Sequence, residues 1–81
     1  MNDFWNLIQA NEGNTFKTVT GLEFTYKVIG NYIITSRTNR HLAKSNFEKA
    51  ILMRPKNPSD MSNLIQGSSY VYAILNELNL I

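Results

Sequence analysis

The chain has 81 residues, of which 43% are hydrophobic and 17% are charged, and this length and composition predict a single domain, residues 1–81. It contains no cysteine, which excludes disulfide bridges and thiolate metal sites, and eight basic and six acidic residues give a net charge of +2 at pH 7. No apolar run is long enough to span a bilayer and residues 1–10 lack the pattern of a signal peptide, so we expect a cytoplasmic protein without membrane association.

The first predicted element is a short helix that Asp3 caps. Phe4, Leu7 and Ile8 follow at the spacing of one helix face and form its predicted buried stripe. Trp5 adjoins this stripe, and we expect it to pack at the edge of the core rather than to bind a ligand.

Three predicted strands follow this helix and form an antiparallel meander. They cover residues 15–19, 22–28 and 32–36. Gly30 and Asn31 form a two-residue turn between the last two strands, because glycine adopts positive φ without strain. This turn length predicts the pairs Ile29–Tyr32, Val28–Ile33, Tyr26–Thr35 and Phe24–Arg37.

The predicted register separates two faces of the sheet. One face is apolar, and we expect it to form the core. The other face is mixed in polarity, which predicts partial cover by a helix or by a partner protein. The predicted core face carries Leu22, Phe24, Tyr26, Val28 and Ile33, and the mixed face carries Thr25, Lys27, Ile29, Tyr32 and Ile34.

Two helices are predicted in the C-terminal half. The first begins with a capping box, in which the Ser45 hydroxyl accepts from the Glu48 amide and the Glu48 carboxylate accepts from the Ser45 amide. It ends before Pro55. The second follows Gly67, with the next two serines as caps. Their predicted buried residues are Phe47, Ala50 and Ile51 in one helix and Val71, Ile74, Leu75 and Leu78 in the other.

This order of elements predicts an α+β domain. It consists of a short N-terminal helix, a three-stranded antiparallel meander, and two C-terminal helices packed on one sheet face. Residues 60–66 fit either a helical turn or a short strand.

Catalytic and metal-binding motifs are absent from the sequence. His41 is the only histidine and the six carboxylates are scattered, whereas nucleophilic catalysis needs a base beside a nucleophile and a catalytic zinc needs about three protein ligands. The four glycines are isolated, so no phosphate-binding loop is present. We therefore predict a protein that is not an enzyme and has no metal or other cofactor.

Positive charge is concentrated in residues 37–56. This segment contains six of the eight Lys and Arg residues and one acid, Glu48, so its net charge is +5. Residues 1–26 and residues 57–81 each carry −2. Such an asymmetry favours a negatively charged partner, and nucleic acid is the first candidate. The six basic residues are Arg37, Arg40, Lys44, Lys49, Arg54 and Lys56.

The basic residues before the second helix form the predicted binding site. Arg40, His41 and Lys44 fall in the predicted connector, at the positive end of the helix dipole, where charge complementarity favours acids. This departure from a local rule indicates a phosphate site. We expect Arg37 and Arg40 to bind a phosphate bidentately and Lys44 to add a point charge. Lys27, on the adjacent strand, extends the site.

Three questions about the site stay open at this point. The cations are solvated side chains of an exposed connector, which is the preferred interpretation, or they contact an anion. Tyr32, near Lys27, either stacks on a base or is covered by the first helix or the C-terminal segment, and cover is preferred. The mixed face at Ile29, Tyr32 and Ile34, together with an exposed Tyr70 or Tyr72, is the alternative site, for protein interaction or homodimerisation.

Two common nucleic-acid-binding motifs do not fit. A helix-turn-helix joins its helices through a turn of 3–4 residues, whereas residues 54–67 separate the two C-terminal helices. The glycines and aromatic residues do not interleave as in RNA-recognition domains. We expect contacts to the phosphate backbone with little sequence preference.

Three short runs carry a resemblance. They are Phe24-Thr25-Tyr26-Lys27-Val28, Ser45-Asn46-Phe47-Glu48-Lys49-Ala50 and Gly67-Ser68-Ser69-Tyr70-Val71. These runs, one strand and two helix starts, resemble small bacterial or phage-type proteins and domains of unassigned function. The resemblance implies no activity, and no site residue is carried over from it.

Overall fold

A computed structural model describes residues 3–37, 41–56, 58–60 and 67–81. Its order of elements confirms the predicted α+β class: an N-terminal helix, antiparallel strands and two C-terminal helices. The elements are helix α1 (Asp3–Ala10), strands β1 (Phe16–Lys17), β2 (Glu23–Phe24), β3 (Tyr26–Ile29), β4 (Tyr32–Thr35) and β5 (His41–Ala43), helix α2 (Lys44–Met53), a 3₁₀ turn (Pro58–Asp60) and helix α3 (Ser68–Glu77). None of these helices is long and apolar enough to cross a membrane.

The β3–β4 hairpin has the predicted register. Its pairs include Ile29–Tyr32, Val28–Ile33 and Tyr26–Thr35, and Gly30 in the turn has a φ of 59°. Beyond the last pair, the Ser36 amide donates to the Thr25 carbonyl over 2.8 Å.

The predicted strand 22–28 divides into two strands with different partners. β2 pairs with β1, whereas β3 pairs with β4, so the strands form two separate sheets. The predicted pair Phe24–Arg37 is therefore wrong, because Phe24 lies opposite Phe16. Leu22 precedes β2 and is 47% exposed, so its predicted place in the core is wrong as well.

The third strand of the larger sheet, β5, was not predicted. β5 pairs with β4 through Ile34–His41, Ile33–Leu42 and Tyr32–Ala43, and gives the sheet order β3-β4-β5. The prediction of a connector at His41 is thus wrong. A strand of three residues is too short for an alternating pattern to distinguish it from a loop.

The core contains residues from both sheets and all three helices. In α1, Trp5 is 5% exposed and belongs to the core, whereas Leu7, which was predicted to be buried, is 38% exposed. This confirms a packing role for Trp5. The other buried hydrophobic residues are Phe4, Ile8, Phe16, Phe24, Tyr26, Ile33, Leu42, Phe47, Ala50, Val71, Ala73, Ile74 and Leu75.

The start of α2 differs from the prediction. The helix begins at Lys44, its N-cap Ala43 makes no side-chain cap bond, and the capping box at Ser45 is therefore wrong. The reason is that β5 runs directly into α2. The Lys44 amide donates over 2.7 Å to the carbonyl of Asn31, in the hairpin turn, so a backbone group of the sheet takes the place of a cap. The end agrees with the prediction: Pro55 follows the last helical residues.

α3 also starts without a serine cap. Its N-cap is Gly67, which has a φ of 70°, and no side-chain cap bond forms. A Cβ atom at Gly67 would lie 2.6 Å from Cδ2 of Leu42. Gly67 therefore allows both the left-handed backbone and the close approach of α3 to β5. Of the ambiguous residues 60–66, Asp60 belongs to the 3₁₀ turn and the others lie outside the described residues.

α1 and the turn after it are attached to β3. The Tyr26 hydroxyl donates to the Ile8 carbonyl, and the Gly13 amide donates over 3.1 Å to the Tyr26 carbonyl. The Val28 amide donates over 2.8 Å to the Glu12 carboxylate. The last two bonds pair backbone groups of β3 at one edge of the three-stranded sheet.

Candidate nucleic-acid interface

One side of the three-stranded sheet faces away from the core, and we call its six residues the outer face. Residues directly opposite each other on neighbouring strands share a side of a sheet, so the pairing defines this face. It contains two rows across the strands, Lys27–Ile34–His41 and Ile29–Tyr32–Ala43. The predicted mixed face thus extends across β5.

The outer face is accessible to solvent. Lys27, Ile29 and His41 are exposed, and Ile29 is exposed by 44%. Tyr32 and Ile34 on the central strand are half-buried. On the opposite side of the same strands, Tyr26, Ile33 and Leu42 are fully buried. Within the described part of the chain, the helices therefore cover one side of the sheet, and the other side is exposed at Lys27, Ile29 and His41.

Tyr32 and His41 stack on each other on this face. Their ring centroids are 4.2 Å apart and the ring planes differ by 18°. The two residues are diagonal neighbours on β4 and β5, a spacing that aromatic side chains can bridge. Ala43, directly opposite Tyr32, is small and leaves room for the tyrosine ring to lean toward β5. The sequence did not reveal this pair because its assignment needs β5.

A shallow depression lies beside this stack. Its volume is about 210 Å³, and Lys27, Ile29 and Ile34 are among its lining residues. Thr25 and Ser36 close it toward the end of β4. The depression thus combines aliphatic surface with one ammonium group, a suitable surface for a ligand that has both an apolar and an anionic part.

Two further predicted site residues lie beyond opposite ends of β4. Arg37 is exposed, and its Nε donates over 2.8 Å to the Glu23 carbonyl. Lys44 is half-buried and attached to the hairpin turn at the other end. β4 spans about 10 Å between them. The backbone positions of the two cations are therefore separated by the length of this strand.

Arg40, which was predicted to bind a phosphate together with Arg37, lies outside the described residues. Lys27 and Lys44 form no ion pair within residues 3–37, 41–56, 58–60 and 67–81. The first turn of α2 contains no acid to offset Lys44.

The other basic residues of the 37–56 segment lie outside this surface. Lys49 and Lys56 are exposed, and Arg54 caps the C-terminal end of α2 with a φ of 51°. The Lys56 amide donates over 2.9 Å to the Asp60 carboxylate. None of these three residues therefore belongs to the outer face.

The two tyrosines of α3 are half-buried and contact other elements of the fold. Tyr70 is half-buried and packs edge-on against Phe24, with centroids 5.0 Å apart. Tyr72 is half-buried, and its hydroxyl donates over 2.9 Å to the Lys56 carbonyl. The prediction that at least one of them is exposed is therefore wrong. Contacts with β2 and with the loop after α2 account for both.

No group of three or more potential metal-ligating side chains occurs among the described residues. Comparisons with protein-family models, curated proteins and solved structures find no match to this chain. A functional proposal for this chain therefore rests on the residues of the outer face and the two cations that flank it.

Proposed function

We propose that this protein is a non-enzymatic binding domain that contacts the phosphate backbone of nucleic acid. The contacts come from Lys27 and His41 on the outer face, from Arg37 and Lys44 at its two ends, and from Arg40. The observation that carries the proposal is the row Lys27–Ile34–His41, which displays two basic side chains on an accessible sheet face.

The arrangement of the cations favours a polyanion over a single phosphate. Arg37 and Lys44 lie beyond opposite ends of β4. The row that contains Lys27 crosses β4 at Ile34, between these two ends. A chain of phosphates satisfies all three positions at once, and each contact releases condensed counterions from the nucleic acid. The contacts read no bases, so we expect weak sequence preference.

A second candidate is protein interaction or homodimerisation through the same face. Its support is the exposure of Ile29 and the partial exposure of Ile34 next to Tyr32. Apolar residues grouped on an accessible face are typical of protein contacts. Sedimentation velocity over a range of protein concentrations tests self-association. A monomer at all concentrations, with no partner protein retained during purification, argues against this candidate.

The test of the proposal is titration of the protein into a labelled mixed-sequence oligonucleotide, followed by fluorescence anisotropy at several salt concentrations. The variant replaces Lys27, Arg37 and Lys44 by Gln. The slope of log affinity against log salt should become shallower by about 2, because each lost phosphate contact removes about 0.7 for a single strand.

The matched control replaces three other exposed lysines, Lys17, Lys49 and Lys56, by Gln. It changes the net charge by the same amount at sites away from the outer face. We expect it to keep most of the salt slope of the wild type. Equal losses in the two triple variants, or no detectable binding at low salt, would reject the proposal.

A further inference from the structure

We infer that the ligand is a single-stranded nucleic acid and that its bases stack on the Tyr32–His41 pair. This inference rests on the proposed function, since it names the class of nucleic acid that the outer face binds. It adds base contacts to phosphate contacts, and it gives a role to the ring of Tyr32, which the charge argument does not use.

The geometry of the pair leaves aromatic surface for a base. The stack between Tyr32 and His41 uses one face of each ring. Among the described residues, no third aromatic ring lies against either of them. An unpaired base extends such a stack irrespective of its identity, since every base has a π-face.

The width of the outer face argues against duplex DNA. Neighbouring strands are about 4.8 Å apart, so the backbones of β3 and β5 are separated by about 10 Å before their side chains are added. The major groove is about 12 Å wide and admits a helix or a two-stranded ribbon. A face three strands wide reaches the phosphates of a duplex but not its stacked bases.

The depression beside the aromatic pair fits the neighbouring nucleotide. Ile29 and Ile34 supply aliphatic surface against which a second base can lie, and Lys27 supplies a cation for its phosphate. Tyr32 separates this depression from Ala43 in the second row. A nucleic-acid strand that contacts both the aromatic pair and the depression therefore crosses β4.

The experiment compares three ligands of equal length. They are a single strand, the same sequence as a duplex, and a strand of abasic sites with the same number of phosphates. We expect the protein to prefer the single strand over the abasic strand by about five- to 150-fold for each stacked base. The salt slope should be similar for both strands, because their charges are equal.

Matched substitutions separate the rings from the charges. Tyr32→Leu removes the ring and should lower single-strand affinity by about five- to 150-fold without changing the salt slope. Tyr32→Phe keeps the ring and should retain affinity. His41→Phe keeps an aromatic ring for the stack but removes the titratable imidazole. His41→Leu removes both the ring and the titratable group. If Tyr32→Leu does not fold, wild-type NMR shifts on adding the single strand answer the same question, since stacking perturbs the ring protons of Tyr32 and His41.

The outcomes distinguish this inference from the proposed function. Equal affinity for single, abasic and duplex ligands, with a neutral Tyr32→Leu, overturns the inference and leaves phosphate binding intact. No binding to any of the three ligands overturns both. A stable dimer that shields Tyr32 from all three ligands also overturns the inference, and assigns the face to self-association.

Discussion

The substitution Gly67→Ala tests how closely α3 and β5 approach each other. Two terms contribute to its cost. The left-handed φ of 70° disfavours any residue with a Cβ atom by about 1–2 kcal/mol. The new Cβ atom would also lie 2.6 Å from Cδ2 of Leu42, whose side chain is fully buried. Moving that side chain within the core costs about 1–3 kcal/mol.

The expected loss of unfolding free energy is therefore about 2–5 kcal/mol. This is a large part of the total for a domain of this size, about 4–12 kcal/mol. Equilibrium unfolding in urea measures the loss as a shift of the midpoint at constant slope.

Gly30→Ala is the matched control. Gly30 has a φ of 59°, and a Cβ atom there meets nothing within 4 Å, so only the backbone term of about 1–2 kcal/mol applies. Leu42→Val shortens the side chain that the new atom meets, and combined with Gly67→Ala it should cost less than the sum of the single changes. Equal losses at Gly67 and Gly30, or strict additivity with Leu42→Val, would refute the steric argument.

Three other predictions concern stability. Arg54→Gly should raise the free energy of unfolding by about 0.5–1 kcal/mol, because Arg54 has a φ of 51°. Asn79→Gly should raise it less, because Asn79 has a φ of 60° and asparagine tolerates this backbone region. Thermal unfolding compares the two variants. Burial, and to a smaller extent the Glu12 charge, raise the pKa of Tyr26. Above about pH 10 the tyrosine of the unfolded chain ionises first, so this group should lower the free energy of unfolding of the wild type by about 1.4 kcal/mol per pH unit. Tyr26→Phe should show no such pH dependence, and its missing hydrogen bond should cost about 1 kcal/mol at neutral pH. Urea unfolding at pH 7 to 11 measures both effects. Glu12→Ala removes the acceptor of the Val28 amide, which should accelerate hydrogen exchange of this amide and lower the free energy of unfolding by about 0.5–1.5 kcal/mol. An unchanged exchange rate of the Val28 amide would contradict this prediction.

The parts of the fold that were predictable depend on short stretches of chain. The register of the hairpin follows from a two-residue turn at Gly30, and α3 follows from the spacing of Val71, Ile74 and Leu75. Both are local signals, and the structure confirms both. The composition of the mixed sheet face, with Lys27 and Tyr32, followed from the same register.

The remaining features depend on contacts between distant residues. The alternation over residues 22–28 is unbroken, yet the strand changes partner at Thr25 because β1 pairs with its first half. Ser45 has the right neighbours for a cap, but the Asn31 carbonyl already accepts the first helical amide. His41 reaches the candidate site only through the pairing of β5, which no periodicity revealed.

The attachment of α1 to β3 has a consequence for the order of folding. A helix of eight residues is too short to be stable by itself in water. Tyr26, the partner of α1, and Val28, the partner of Glu12 in the turn after it, are held in place by the β3–β4 hairpin, which closes over a two-residue turn. We therefore expect the hairpin to form before α1 docks. Loss of the Glu12 contact should then accelerate unfolding and leave the folding rate nearly unchanged, as for interactions that form after the transition state.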